Sequence, residues 1–137
     1  MNVTRKFLVV FLFWSLSSLA SSGKMQETEN LPHAFEAGWQ GQKVCELLYE
    51  DEAVRVGRCV FPPGIGHEKH FHRPHFGYVL TSATMRITDA DGTEVTETTA
   101  GGSWETDAIT VHEAVNIGQT TASYLIVEPK TSPAGTP

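Results

Sequence analysis

From Lys43 onwards the apolar residues recur in short runs of alternating or near-continuous character, and no stretch keeps a helical period. Val44–Tyr49 and Val54–Phe61, the second with three valines, are separated by the charged turn Glu50-Asp51-Glu52. Phe76–Leu80, Met85–Thr88, Val95–Thr99, Ile109–His112 and Tyr124–Glu128 continue the series, punctuated by Gly, Pro, Asp-Gly or Thr/Ser clusters. Many short strands at such spacing predict an all-β sandwich or barrel.

Two hairpins can be read in more detail. Asp91-Gly92 is a two-residue turn signal that favours positive φ. A turn centred there pairs Ala90 with Thr93 and sets Arg86 opposite Glu97, an opposite-charge pair that would support the register. In the earlier hairpin, a turn centred on Glu52 places Cys45 opposite Cys59. Cross-strand partners are close enough for a disulfide; the other reading is two small buried thiols, and a slip of one residue would turn them to opposite faces.

The N-terminal segment has a different character. Arg5 and Lys6 precede the uncharged apolar run Phe7–Trp14, and Ser17–Ser22 supplies small residues at cleavage-site spacing. Residues 1–22 therefore read as a secretory signal, the run being shorter than the roughly 20 residues that span a bilayer. Residues 23–42 read as a linker or arm, 43–130 as the single β domain and 131–137 as a flexible tail. The expected destination is the periplasm or the exterior, an oxidising setting in which a Cys45–Cys59 disulfide is chemically reasonable.

Charge narrows the functional classes. The 137 residues carry a net charge of −6, and removal of 1–22 leaves eight basic against 16 acidic residues, a net of −8. A domain this acidic, with scattered cations, is a poor electrostatic match for nucleic acid. No membrane association is expected once the leader is removed.

The chemistry concentrates in Pro62–His75, where four of the six histidines, His67, His70, His72 and His75, fall within nine residues. In a strand, His70 and His72 point to one side and Phe71 to the other. Two imidazoles so placed can grip one metal ion, with His112 at the end of the strand Ile109–His112 as the third ligand. His75 is the candidate fourth ligand. Glu68 shares parity with His70 and is a further candidate as ligand or general base. His67 reads as a rim residue and His33 as having no part in the site. Asn116 reads as a turn cap beside His112. Phe71, Phe76, Tyr78 and Trp104 read as packing residues, with Tyr78 also a weaker pocket candidate.

These motifs resemble those of the cupin superfamily. Gly64, five residues and His70-Phe71-His72 match the start of its first motif, and Gly101, with His112 followed three residues later by Asn116, matches its second. The resemblance spans about Val44 to Lys130. The departures are specific: the usual glutamate position falls on Phe76 or Gly77, the closing glycine is Ala83, and Asp107 and Ile109 replace the Pro and Gly of Pro-x-Gly. Trp104–Asp107 and Tyr124–Lys130 are similar to stretches of small bacterial cupins, some labelled as β-alanine degradation proteins.

The resemblance implies a double-stranded β-helix, or jelly-roll barrel, with one internal site for a divalent transition metal such as Fe, Mn, Ni or Zn. It implies a small-molecule ligand or substrate and a homodimer paired through sheet edges. Neutral histidine ligands leave the metal's charge uncompensated, which favours anionic substrates. The expected activity is that of a metal-dependent oxygenase, lyase or isomerase acting on a small organic acid. The alternatives are a small-molecule-binding barrel and a metal-free structural one.

Overall fold

The computed structural model describes Thr28 and residues 30–130. The expected leader over 1–22 and tail over 131–137 lie outside the described residues. Its elements are all strands: β1 Gly38–Trp39, β2 Gln42–Lys43, β3 Cys45–Glu50, β4 Val54–Phe61, β5 Gly66–His72, β6 His75–Thr81, β7 Ala83–Thr88, β8 Thr93–Thr98, β9 Ser103–Thr106, β10 Thr110–Asn116 and β11 Ala122–Pro129. They form a four-stranded sheet in the order β5-β10-β7-β8, a five-stranded sheet in the order β3-β4-β11-β6-β9, and the small hairpin β1-β2.

The alternation in the sequence is the alternation of burial. On β11, Ala122, Tyr124, Ile126 and Glu128 are buried while the residues between them are more exposed; β6 does the same with His75, Gly77 and Val79. The inward rows of both sheets meet in one core that includes Phe61, Val79, Met85, Tyr124 and Ile126. Strands β5 and β9, with sequences GHEKHFH and SWET, have little intrinsic strand preference and are held by their pairing with β10 and β6.

The β7–β8 hairpin differs from the sequence expectation. Thr88 pairs with Thr93 and Arg86 with Val95, so Glu97 faces Thr84 and the Arg86–Glu97 pair does not form. The reason is local. Asp89 accepts hydrogen bonds from the backbone N–H groups of Asp91 (2.8 Å) and Gly92 (3.2 Å), which closes a four-residue turn in place of a two-residue one. The shift of two keeps every side chain on its expected face.

In the β3–β4 hairpin Cys45 stands opposite Cys59 and the two are joined by a disulfide. A register irregularity between Leu47 and Tyr49 alters the pairing nearer the turn.

The segment expected to be a linker is part of the fold from His33 onwards. His33, Ala34, Phe35 and Ala37 are buried. His33 bridges Phe71 of β5 in parallel fashion, with hydrogen bonds from Ala34 N to Phe71 O (2.9 Å) and from Phe71 N to Pro32 O (3.1 Å). The arm thus covers the open edge of β5, a way of satisfying an unpaired ladder. Its aromatic residues need room on the barrel: a Cβ on Gly57 would collide with Phe35, and one on Gly66 with Trp39.

Candidate metal centre

Strand β5 brings His70 and His72 inward, as side chains two residues apart on a strand must be, and sends Phe71 outward against His33. On β10, His112 pairs directly with His70. One ligand nitrogen from each of His70, His72 and His112 lies within 4.8 Å of the others. The Nε2 atoms of His70 and His72 are 2.9 Å apart. The Nδ1–H of His70 donates to the carbonyl of Glu68 at 2.7 Å, which leaves its Nε2 as a lone pair aimed at His72.

Burial is the main force on these rings. It holds the imidazole of His70 far below its ordinary range, with neighbouring His67, His72 and His112 adding repulsion. Burial likewise brings His72 down to about 3, the Glu128 carboxylate beside it pulling the other way without reversing the shift. His67 and His112 are brought down to about 4, again chiefly by burial. The rings are therefore uncharged at neutral pH, each with one nitrogen lone pair free, the state in which imidazole binds metal. These residues fit a divalent transition metal: three neutral nitrogen donors from two paired strands, with a lone pair of His70 facing another ring and no partner for Nδ1 of His72.

The centre opens into a cavity of about 380 Å³ lined by His72, His75 and His112 and, around them, Met85, Ile126 and Trp104 among others. No lysine or arginine is among the described residues that line it, and Glu94 of β8 is its carboxylate. A larger depression of about 690 Å³ lies beside β3 and β4, and no histidine is among the described residues that line it.

Comparison with solved structures finds the same architecture. A cupin domain from Bordetella pertussis Tohama I superposes with a TM-score of 0.62 at 21% identity, over 69% of this chain and 96% of that one. The chain has the cupin fold. An RmlC-like cupin family protein with a double-stranded β-helix fold, from Methanocaldococcus jannaschii, matches with a TM-score of 0.53 at 22% identity, over 64% of this chain and 80% of that one. The polyketide cyclase RemF from Streptomyces resistomycificus matches with a TM-score of 0.55 at 19% identity, over 77% of this chain and 78% of that one. No protein-family model and no curated protein matches the sequence.

Within this cupin barrel, His75 lies on the cavity wall next to His72, their ring centroids 4.6 Å apart. Its Nδ1–H donates to the carbonyl of Arg73 (2.8 Å), and its Nε2 accepts from the indole N–H of Trp104 (3.2 Å). His75 groups with His72 and Glu128, apart from the trio of His70, His72 and His112.

Glu68 points away from the centre. His70 pairs with His112 but His67 pairs with Ala114, so Glu68 and Lys69 together oppose Glu113 in a β-bulge that breaks strand parity. The Glu68 carboxylate accepts from the backbone N–H of Gln40 instead, at 2.8 Å. The same bulge turns His67 inward: it is 3% exposed, no rim residue, and stacks on His70 with centroids 3.7 Å apart. Tyr78 faces outward with Phe76, both exposed, and is not a pocket residue.

Asn116 is fully buried and ties loops together. Its Nδ2 donates to the carbonyls of Phe61 and Thr120, both at 2.7 Å, and its Oδ1 accepts from Gly118 N at 2.9 Å. Cys59 lines the cavity, and its disulfide partner Cys45 lies 4.0 Å (Sγ) from Nε2 of His67.

Sequence reasoning missed three participants: Trp104, which holds His75; His33; and Glu128. The Glu128 carboxylate is 1% exposed and receives a 2.8 Å hydrogen bond from His33 Nε2. Burial pushes its carboxyl up, but the hydrogen bond from His33 and the nearness of the His33 and His72 rings win and hold it down at about 2. Parity was the available signal, since Glu128 shares a face with Tyr124 and Ile126.

Proposed function

We propose that the barrel holds a divalent transition metal (Fe, Mn, Ni or Zn) on His70, His72 and His112. Through it the protein acts on a small organic acid or diketone-like chelator, as a metal-dependent oxygenase, lyase or isomerase. One observation carries the reading: ligand atoms of three buried or half-buried histidines converge within 4.8 Å beside a cavity of about 380 Å³. A filled barrel with a purely structural role would leave no such space. When bound, a metal of this kind supplies Lewis acidity and open positions for substrate oxygen.

The chain's own residues shape what enters. Met85, Ile87 and Ile126 give apolar walls that exclude water from the ligand's body. With no cation among the described lining residues, the metal is the group that meets a ligand's negative charge. His75, oriented by Trp104, is the titratable side chain on the wall beside His72. A polyketide cyclase among the structural neighbours accords with catalysis in a barrel of this kind.

The leader-like residues 1–22, together with a disulfide, support export to the periplasm or exterior. A row of exposed apolar residues on the outer face of the five-stranded sheet, Val60, Phe76, Tyr78 and Leu80, supports pairing with a second copy.

The test is the metal content of the mature domain, purified without a polyhistidine tag, beside the His70→Ala/His112→Ala double mutant. About one divalent metal per chain, lost in the mutant, is expected, followed by oxygen uptake or turnover with small chelating acids. Metal uptake with ligand binding but no turnover identifies a binding module. No uptake after reconstitution with Fe(II), Mn, Ni and Zn sinks the reading.

A further inference from the structure

Glu128 belongs to neither histidine motif, yet it is buried against both His33 and His72. Its Oε2 accepts from His33 Nε2 at 2.8 Å. His33 Nδ1 accepts from the backbone N–H of Phe35 at 3.2 Å, which places the ring's proton on Nε2 and makes it the donor to Glu128. The other oxygen, Oε1, has no hydrogen-bond partner among the described residues and lies 3.7 Å from Nδ1 of His72, which has none among them either.

Proton placement on His72 decides what these two atoms do. With its proton on Nε2, His72 donates to the lone pair of His70 and turns a bare Nδ1 toward the carboxylate, setting two acceptors against each other. With its proton on Nδ1, His72 donates toward Glu128, and two Nε2 lone pairs then face one another at 2.9 Å. The second arrangement turns a donor toward the carboxylate oxygen 3.7 Å away and is stable once a cation is held by the two Nε2 atoms. A buried carboxylate oxygen that meets no donor favours that arrangement, because leaving it unpaired is costly.

We propose that Glu128, oriented by His33 of the N-terminal arm, is the positioning carboxylate of the metal centre: it keeps the proton of His72 on Nδ1 and so presents Nε2 as a ligand. This rests on the metal reading above and deepens it. The arm, pinned to β5 through the His33–Phe71 bridge, thereby becomes part of the site. The carboxylate absent from the first motif is replaced by one from the last strand, acting on a ligand ring rather than on the ion. Such outer carboxylates raise ligand basicity, and their loss costs about 10- to 100-fold in metal affinity.

The experiment measures Zn(II) affinity by chelator competition for the wild-type mature protein, Glu128→Gln and His33→Ala, with circular dichroism of each metal-free protein. The expected result is a Kd raised about 10- to 100-fold in Glu128→Gln and by a smaller factor in His33→Ala, with folded spectra throughout. A companion measurement needs no variant: long-range ¹H–¹⁵N correlations of the Zn(II)-loaded wild type should show His72 protonated on Nδ1 and His33 on Nε2. Wild type that binds Zn(II) with His72 protonated on Nε2, or with affinity unchanged in a folded Glu128→Gln, overturns this inference and leaves the metal reading standing. Wild type that binds no metal overturns both.

Discussion

The indole of Trp104 lies over Gly77 on the neighbouring strand, where a Cβ would collide with its ring, and from there its N–H reaches Nε2 of His75. The absence of a side chain at one position thus sets the orientation of a histidine on the cavity wall. Gly77→Ala must displace the indole, and overpacking of this kind costs about 1–3 kcal/mol. The expected outcome is a lower urea midpoint and an altered Trp fluorescence spectrum, with Zn(II) affinity changed far less than in His70→Ala. An unchanged midpoint would mean that the indole does not occupy that space in solution.

Acid should destabilise the metal-free protein before its carboxylates titrate. His67 and His112 are held at about 4 and His72 at about 3, whereas an unfolded imidazole titrates near 6.5. Between those values the unfolded chain binds more protons than the folded one, so stability rises with pH in that window and falls as pH drops from about 6.5 toward about 4. Glu128, held at about 2, keeps its contribution down to lower pH. Urea midpoints in chelator at about pH 7.5, 6 and 5 check this. A flat profile over that range would show the rings to be solvated.

Reduction of the Cys45–Cys59 disulfide, or Cys45→Ser/Cys59→Ser, removes a cross-link between residues 14 apart in sequence. Loops of this size are stabilised by about 3 kcal/mol. The expected outcome is a midpoint lowered by that order in equilibrium urea unfolding, with the barrel still folded because the flanking ladder of β3 and β4 remains. Equal midpoints with and without reductant would show that the bridge contributes nothing.

Phe76, 42% exposed, stands with Tyr78 on the outer face of β6, and across β11 it faces Val127. If a second copy covers this face, Phe76→Glu should shift the mass seen by light scattering from two chains to one, leaving the far-ultraviolet spectrum unchanged. A wild-type protein of one chain's mass at every concentration removes the homodimer.

What the chain shows on its own is what depends on near neighbours. The apolar, β-branched character of Val54–Phe61 and Tyr124–Glu128 marks β4 and β11 because a strand's period of two is a local property. The common direction of His70 and His72 follows from the same period. Parity failed for Glu68, where two residues of β5 face one of β10, and the bulge arises from the pairing partner. The register of β7 and β8 moved by two because Asp89 hydrogen-bonds into the turn, a preference that competes with the Asp-Gly signal.

Only the tertiary structure decided that His33 and Glu128, 95 residues apart, share one hydrogen bond behind His72. Neither residue belongs to a motif, and their meeting requires the arm to run along β5 while β11 packs between β4 and β6. A buried carboxylate needs partners wherever the fold can bring them, and which residues can reach it is settled by packing across the whole barrel. Local sequence determined the strands and which way their histidines point; closure of the barrel determined what stands behind those histidines.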